Sequence, residues 1–248
     1  SLSNQSDFSW TLDNLIYYDK EFGKHSVGLT LLQSATGYHY EESSMAAEGI
    51  PLESAKWNAL SKENVSLLDE WNSGLIEKQL LSYMFRVNYD YNNKYLLTVS
   101  GRWDGASQLA EGNKWAFFPS AALGWRLDQE EFLKDVTWLN QLKFRLGVGV
   151  TGNSAIDPYQ TKGAIVSLYY PFGSALAPGY AASEPLIKDG AVAMANKNLS
   201  WEKTTQYNIG LDYSVLNGRI SGVLDFYTSR TTDLLMAMTI PSLNGYTN

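Results

Sequence analysis

The dominant period along this chain is two. Over residues 80–91, Leu81, Tyr83, Phe85, Val87, Tyr89 and Tyr91 share one parity, and Ser82, Met84, Arg86, Asn88 and Asp90 share the other. Over 95–104, Tyr95, Leu97, Val99, Gly101 and Trp103 oppose Leu96, Thr98, Ser100, Arg102 and Asp104. Strict alternation marks strands with one apolar and one polar face. It recurs over 10–18, 25–35, 117–127, 142–151, 205–215 and 219–228, which predicts about eight strands of roughly ten residues each.

Ten residues is long for a soluble strand and matches a tilted strand crossing a bilayer, which needs about 9–11. Joining the strands in order leaves short turns at 19–24, 92–94 and 216–218. The connections at 36–79, 105–116 and 152–204 are long. A further short side, 128–141, is expected to hold a small helical turn over 129–133. Asn92-Asn93-Lys94 and Leu216-Asn217-Gly218 carry tight-turn chemistry, because Asn and Gly tolerate positive φ. Tight turns on one side and long loops on the other are the layout of a transmembrane barrel. The expected fold is therefore all-β: an antiparallel transmembrane β-barrel segment of about eight strands, with short periplasmic turns and long extracellular loops.

Lipid offers no hydrogen-bond partner, so a spanning sheet must close on itself, apolar face outward. Arg86, Asn88, Asp90, Arg102, Asp104, Lys143, Arg145, Asn208, Asp212 and Asp225 are then expected to face the lumen, with Arg102 and Asp104 close enough to pair. Gly147 and Gly149 share that face and leave room for another backbone. Tyr18, Tyr91, Tyr95, Trp103, Trp125, Tyr213 and Phe226 are candidates for interfacial aromatic girdles.

Composition agrees. Charged residues are 18% of the 248, aromatics 13%, with 16 Tyr and 8 Trp; such rings favour a membrane interface. A soluble carbohydrate-binding β-sandwich rich in aromatics shares this composition but has no reason to alternate short and long connections. The net charge of −7 offers no basic stripe for nucleic acid. No cysteine is present, so disulfides and Cys-based zinc sites are excluded. No apolar run is long enough for a transmembrane helix.

Enzymatic chemistry has no supporting constellation. His25 and His39 are the two histidines, and no G-x-S-x-G elbow occurs. Glu41-Glu42 and Glu130-Glu131 are neighbours, which on a strand point to opposite faces and make no acid/base dyad. Asp128, Glu130 and Glu131 lack EF-hand spacing. No cofactor or metal is expected.

Several phrases resemble the C-terminal half of SusC/RagA-type TonB-dependent transporters. Gly101-Arg102-Trp103-Asp104-Gly105-Ala106-Ser107 is similar to the family's R-x-D-G-S-S strand end, with Ala106 in place of the first Ser. Trp115-Ala116-Phe117-Phe118-Pro119-Ser120 and Gly124-Trp125-Arg126 resemble W-x-x-F-P-S and G-W-R. Glu131-Phe132-Leu133, Leu142-Lys143-Phe144-Arg145, Thr151-Gly152-Asn153, Asn198-Leu199-Ser200-Trp201-Glu202 and Thr232-Asp233-Leu234-Leu235 continue the series in order.

The resemblance implies a barrel of about 22 strands in the outer membrane of a Bacteroidota-type bacterium. It implies TonB-driven import, a SusD-like surface lipoprotein as partner, and oligosaccharide or, next, peptide cargo. The polar opening Ser1-Leu2-Ser3 carries no signal peptide, and the family's signal peptide, TonB box and plug are expected outside this sequence. A siderophore receptor or passive porin is the alternative barrel. Cargo contacts are expected from aromatic residues of the long loops, namely Trp57, Trp71, Tyr159, Tyr169, Tyr170, Phe172 and Tyr180, on whose faces sugar rings stack.

Overall fold

The structure, a computed structural model, describes residues 1–48, 67–161, 166–172, 175–181 and 196–236; side chains at 47, 48, 67–71 and 166–181 lie outside the description. Ten strands follow one another: β1 Leu2–Phe22, β2 His25–Glu48, β3 Leu67–Tyr91, β4 Tyr95–Ala106, β5 Trp115–Arg126, β6 Leu139–Asn153, β7 Val166–Phe172, β8 Ala175–Ala181, β9 Glu202–Val215 and β10 Ile220–Thr232. Eight form one antiparallel sheet in the order β1-β2-β3-β4-β5-β6-β9-β10; β7 and β8 pair as a separate hairpin. All eight predicted strands are present, neighbour on neighbour.

Register locks the two parities into two faces. Ile16 pairs with Leu31, Leu31 with Phe85, Phe85 with Gly101 and Gly101 with Pro119. One step along, Thr30 meets Arg86, Arg86 meets Ser100 and Ser100 meets Ser120. A slip of one residue would turn the whole apolar set over. The apolar face is left uncovered: Ile16, Tyr83, Trp103, Leu123, Ile209 and Phe226 are all exposed.

Aromatic rings gather at two levels of that face. At the turn end, Phe22 stacks on His25 (5.3 Å), His25 tilts against Tyr91 (4.9 Å), Tyr91 stacks on Tyr95 (6.3 Å), and Tyr95 on Trp125 (6.5 Å). At the other end Trp115 stacks on Tyr83 (6.3 Å) and meets Trp103 edge-on (6.0 Å). Tyr18, Tyr213 and Phe226 share the face but not these rows. From Tyr95 to Trp103, or Trp125 to Trp115, is roughly 26–33 Å of strand. At a tilt of about 40° this gives a band about 20–25 Å tall, the height of a bilayer-facing belt.

Three strands correct the sequence reading. β1, β2 and β3 run to 21, 24 and 25 residues, so most of the expected loop at 36–79 is a paired hairpin that continues well past the band. Beyond the bilayer both faces are wet, the selection for alternation lapses, and periodicity loses the strand while backbone pairing continues. Likewise the 152–204 connection contains the β7–β8 hairpin. Trp71 therefore sits in β3, Tyr169, Tyr170 and Phe172 in β7, and Tyr180 in β8, on strands rather than loops. Trp57 lies outside the described residues. The helical turn at 129–133 is two 3-10 turns, Leu127–Gln129 and Glu131–Leu133.

The tight turns are as their residues dictate. Asn92 and Asn93 take φ 56° and 53°, and Asp90 Oδ1 accepts the Asn93 N–H at 2.7 Å. In the β9–β10 turn Leu216, Asn217 and Gly218 have φ 55°, 56° and 78°. Leu216 has neither the side-chain hydrogen bond nor the missing Cβ that makes this region cheap, and an L-residue there costs about 1–2 kcal/mol. Leu216→Asn is expected to raise unfolding free energy by about 0.5–1 kcal/mol, read as a higher denaturant midpoint for the intact protein in detergent.

Candidate functional site

The polar face is held by charged side chains that find each other across strands. On β4, Arg102 Nε donates to both carboxylate oxygens of Asp104 (2.7 and 2.9 Å) and Nη2 donates to Ser82 Oγ on β3 (2.9 Å). Ser82 and Asp104 are buried. Across β6, β9 and β10, Arg145 donates to Asp212 through Nε and Nη2 (2.8–3.1 Å) and to Asp225 through Nη2 (3.1 Å). Asn208 Nδ2 adds a 3.4 Å bond to Asp225. Gly210 leaves the space in which the guanidinium lies, for a Cβ there would stand 2.7 Å from Arg145 Nη2.

Arg86, Asn88, Asp90, Arg102, Asp104, Arg145, Asn208 and Asp212 all fall on this face by register. A hollow of ≈ 500 Å³ over its turn end is lined by Asn88, Asp90, Lys143, Arg145, Gly147 and Asn208 among others. Thus five of the sequence-predicted polar residues, Asn88, Asp90, Lys143, Arg145 and Asn208, border one concavity, Asp212 and Asp225 brace its Arg145, and Arg102 and Asp104 form the expected pair. A Cβ added at Gly147 would meet no atom closer than 4.0 Å, and one at Gly149 none closer than 3.4 Å, so both leave open wall.

At the far end the chain closes over the polar face. Ala106, Leu109, Ala116, Phe118 and Trp201 make a buried cluster, with Leu80, Val150 and Ile156 packed against it. Trp201 meets Phe118 edge-on at 5.2 Å, and its indole N–H donates to the Lys114 carbonyl at 2.8 Å. Ala110 N–H donates to Leu199 O (3.1 Å), Gln108 Nε2 to Ser154 O (2.9 Å), and Ser107 N–H to Gln79 O (2.9 Å). Gly152 lies flat beneath Phe118, whose ring would stand 2.1 Å from any Cβ there. Three connections, 107–114, 154–161 and 196–201, are thereby clasped to β3–β6.

Beside the clasp is a cleft lined by Glu77, Gln79, Gln108, Glu111, Lys114, Tyr159 and Lys197, among others. Tyr159 is the one residue of the predicted cargo-contact set whose side chain is described. It is half exposed, at φ 71°, and its hydroxyl accepts the Glu77 N–H at 3.3 Å. Glu77 also faces His39 Nδ1 at 3.1 Å, while His39 Nε2 faces Glu41 at 3.1 Å. His39 stands in β2, not in a loop as expected. Sequence reading missed Glu77, Glu111 and Lys197, because their meeting depends on tertiary closure over more than eighty residues and leaves no local pattern.

The turn end carries its own anchor. Glu130 accepts from the Trp125 indole N–H (2.9 Å), Tyr95 OH (2.8 Å) and Lys94 Nζ (3.0 Å). The Trp125 bond first, then those of Tyr95 and Lys94, hold its carboxyl below the usual range, and Glu130 in turn raises Lys94. Asp128 works against desolvation, but bonds from Gln129, Arg126 and the Leu142 N–H still depress it. A lowered carboxyl stabilises above its unfolded value and loses that as pH falls through the folded one. A raised lysine stabilises below its unfolded value and loses that as pH rises through the folded one. The anchor is therefore expected intact from about pH 5 to about pH 10. Acid titration should release the Trp125 indole, seen as a shift of its N–H resonance or emission, and Glu130→Gln should flatten that acid limb.

The whole chain, residues 1–248, matches the model of the family described as "TonB dependent receptor-like, beta-barrel". TonB-dependent receptor SusC of Bacteroides thetaiotaomicron is 42% identical over 195 residues, covering 75% of this chain and 18% of that protein. TonB-dependent receptor P26 of Formosa agariphila is 34% identical over 241 residues, covering 96% and 23%. The solved structure of the RagAB peptide transporter superposes with TM-score 0.82 at 23% identity, over 99% of this chain and 26% of that one. The chain spans about a fifth of the length of these curated relatives. Two-faced strands, tight turns at one end and extended hairpins at the other agree with these matches: the chain belongs to the TonB-dependent receptor-like β-barrel family, whose members are receptors and not enzymes.

Proposed function

We propose that this chain is part of the barrel wall of an outer-membrane nutrient importer, driven by TonB and working with a SusD-like surface lipoprotein. One observation carries the reading: eight strands in register present a continuous exposed apolar band on one face and a charge-paired, hollowed polar face on the other. The apolar band faces outer-membrane lipid, and Arg86, Asn88, Asp90, Arg102, Asp104, Arg145, Asn208 and Asp212 line the lumen. The outer strands of the described sheet, β1 and β10, present free edges that further strands of a wider barrel, of about 22, would satisfy. The relatives from Bacteroides and Formosa support a Gram-negative, Bacteroidota-type host.

Cargo enters at the clasped end. Oligosaccharide stands first, because Tyr159 sits in the cleft, where its ring can stack on a sugar; Trp57, Trp71, Tyr169, Tyr170, Phe172 and Tyr180 are the further cargo contacts of this reading. Peptide stands second, since RagAB is named a peptide transporter. The test is growth of a receptor-deleted strain, complemented with the intact receptor, on a panel of oligosaccharides and peptides as sole carbon source. TonB-dependent rescue on oligosaccharides is expected. Rescue confined to peptides selects the second cargo, and rescue independent of TonB would overturn the importer reading.

A further inference from the structure

β4 leaves the sheet before β3 does. Its pairing with β3 ends at Ala106 opposite Leu80, whereas β3 stays paired with β2 through Gln79 and on to Leu67. Three bonds show which groups of β3 face the side that β4 vacates. The Gln79 carbonyl accepts the Ser107 N–H, and the Gln79 N–H donates to Ser107 Oγ, both at 2.9 Å. The Glu77 N–H donates to the Tyr159 hydroxyl at 3.3 Å. In a strand the N–H and C=O of one residue point to the same side, and successive residues alternate. The next groups on this edge are therefore the Glu77 carbonyl and both backbone groups of Leu75 and of Ser73. None of them meets a backbone partner among the described residues.

These groups form a line in which donor and acceptor recur about every 7 Å, two residues of strand. An extended polypeptide is the complement of such a line. The edge stands roughly 14–27 Å along β3 beyond Leu81, which pairs through Gly105 with Trp115, so it lies outside the apolar band. It opens onto the cleft beside the clasp, since Glu77, Gln79, Ser107 and Tyr159 belong to the lining of that cleft. Its surroundings are acidic. Ser73, Gly74 and Leu75 border a hollow of ≈ 410 Å³ together with Glu41 and Glu42, and His39 stands between Glu41 and Glu77 at 3.1 Å from each. Leu75 is exposed among them.

We propose that the vacated edge of β3 binds an extended basic peptide by strand addition. The peptide runs along Ser73–Glu77 and exchanges main-chain hydrogen bonds with Ser73 and Leu75. An apolar side chain rests on Leu75, lysine or arginine side chains face Glu42 and Glu77, and the chain continues into the cleft at Tyr159. Main-chain pairing accepts many sequences, and the carboxylates select among them by charge. The assignment rests on the reading of this end as the outer mouth and gives the peptide cargo its place of binding.

The test uses the intact protein in mild detergent and a fluorescent, end-blocked hexapeptide of alternating valine and lysine. Wild type is expected to bind it and to gain hydrogen-exchange protection at residues 73–77. The same peptide N-methylated at its two central residues, which leaves neither of its edges free, is expected to bind about tenfold more weakly, as is a peptide with glutamate in place of lysine. Leu75→Pro removes an N–H that faces away from β2, at an edge where proline is tolerated, and is expected to weaken binding about tenfold. Leu75→Ala keeps the N–H and is expected to weaken it only about twofold. Heat-modifiable gel mobility reports the folded barrel, and the N-methylated peptide tests the edge on wild type alone. Equal binding of the methylated and unmethylated peptides overturns the proposal, as does protection of residues 73–77 before any peptide is added, which would mean that the edge is already taken by the protein's own chain. Rescue of growth without TonB overturns the importer reading instead, whatever the peptide titration shows.

Discussion

Trp201→Ala is expected to cost about 3–5 kcal/mol of stability, the range for truncating a large buried aromatic, and to do so at the clasped end of the sheet. Trp201 is 5% exposed and packs edge-on against Phe118. Its removal leaves a hole between 107–114 and 196–201 and orphans the Lys114 carbonyl from one of its two donors. The remaining contacts, chiefly Ala110 to Leu199 and Asn113 Nδ2 to Asn198 O (3.3 Å), are exposed or single, and cannot hold the connection alone. Hydrogen exchange on the intact receptor should therefore show lost protection at residues 107–114, 154–161 and 196–201, with β4 and β5 protected as before. Trp201→Phe, which keeps an aromatic ring but loses the N–H donor, is expected to fall between the two. Unchanged exchange in Trp201→Ala would mean that the clasp is held elsewhere.

The same cluster explains which parts of the fold were legible in the sequence. Alternation located all eight strands because one face meets hydrocarbon and the other does not, a contrast renewed at every residue between Tyr95 and Trp103. The turns were legible because Asn92, Asn93, Asn217 and Gly218 take the positive φ that only such residues take cheaply. The hairpin extension of β2 and β3 was not legible, since Tyr38, His39, Tyr40, Glu41, Glu42, Ser43 and Ser44 give neither parity an apolar run. The phrases that carried the family resemblance turn out to converge. Ala106 stands in one, Phe118 in another, Gly152 in a third and Trp201 in a fourth, and all four meet in one buried cluster and the flat glycine beneath it. Their spacing in sequence hid this, because they join strands whose contact is fixed only by the sheet order. Tyr159 reached the cleft as an aromatic of a long connection, but its neighbours Glu77 and Lys197 carry no such label.

The second large effect separates the two faces of one strand. Val99→Arg is expected to cost about 2–4 kcal/mol, the penalty for a guanidinium on the lipid face near the bilayer midplane, whereas Thr98→Arg is expected to cost much less. Val99 lies midway between the Tyr95 and Trp103 levels and is exposed on the apolar face. It pairs with Val87 and Ala121, so no polar group is at hand for the new charge. Thr98 borders the ≈ 500 Å³ hollow on the other face, beside Asn88, whose Oδ1 accepts its hydroxyl at 2.9 Å. An arginine there loses that bond but projects into water, within reach of Asp90. Adjacent positions on one strand hold backbone pairing, propensity and depth constant, so the difference in denaturant midpoint in lipid vesicles measures the solvent on each side. A soluble sandwich would reverse nothing in sign but would shrink the gap, because an exposed Val→Arg change in water is nearly neutral. A gap above about 2 kcal/mol in vesicles, shrinking when both folded variants are measured in a more hydrated short-chain detergent, would identify hydrocarbon as the medium against Val99. Equal costs on the two faces would contradict the assignment of that face to lipid.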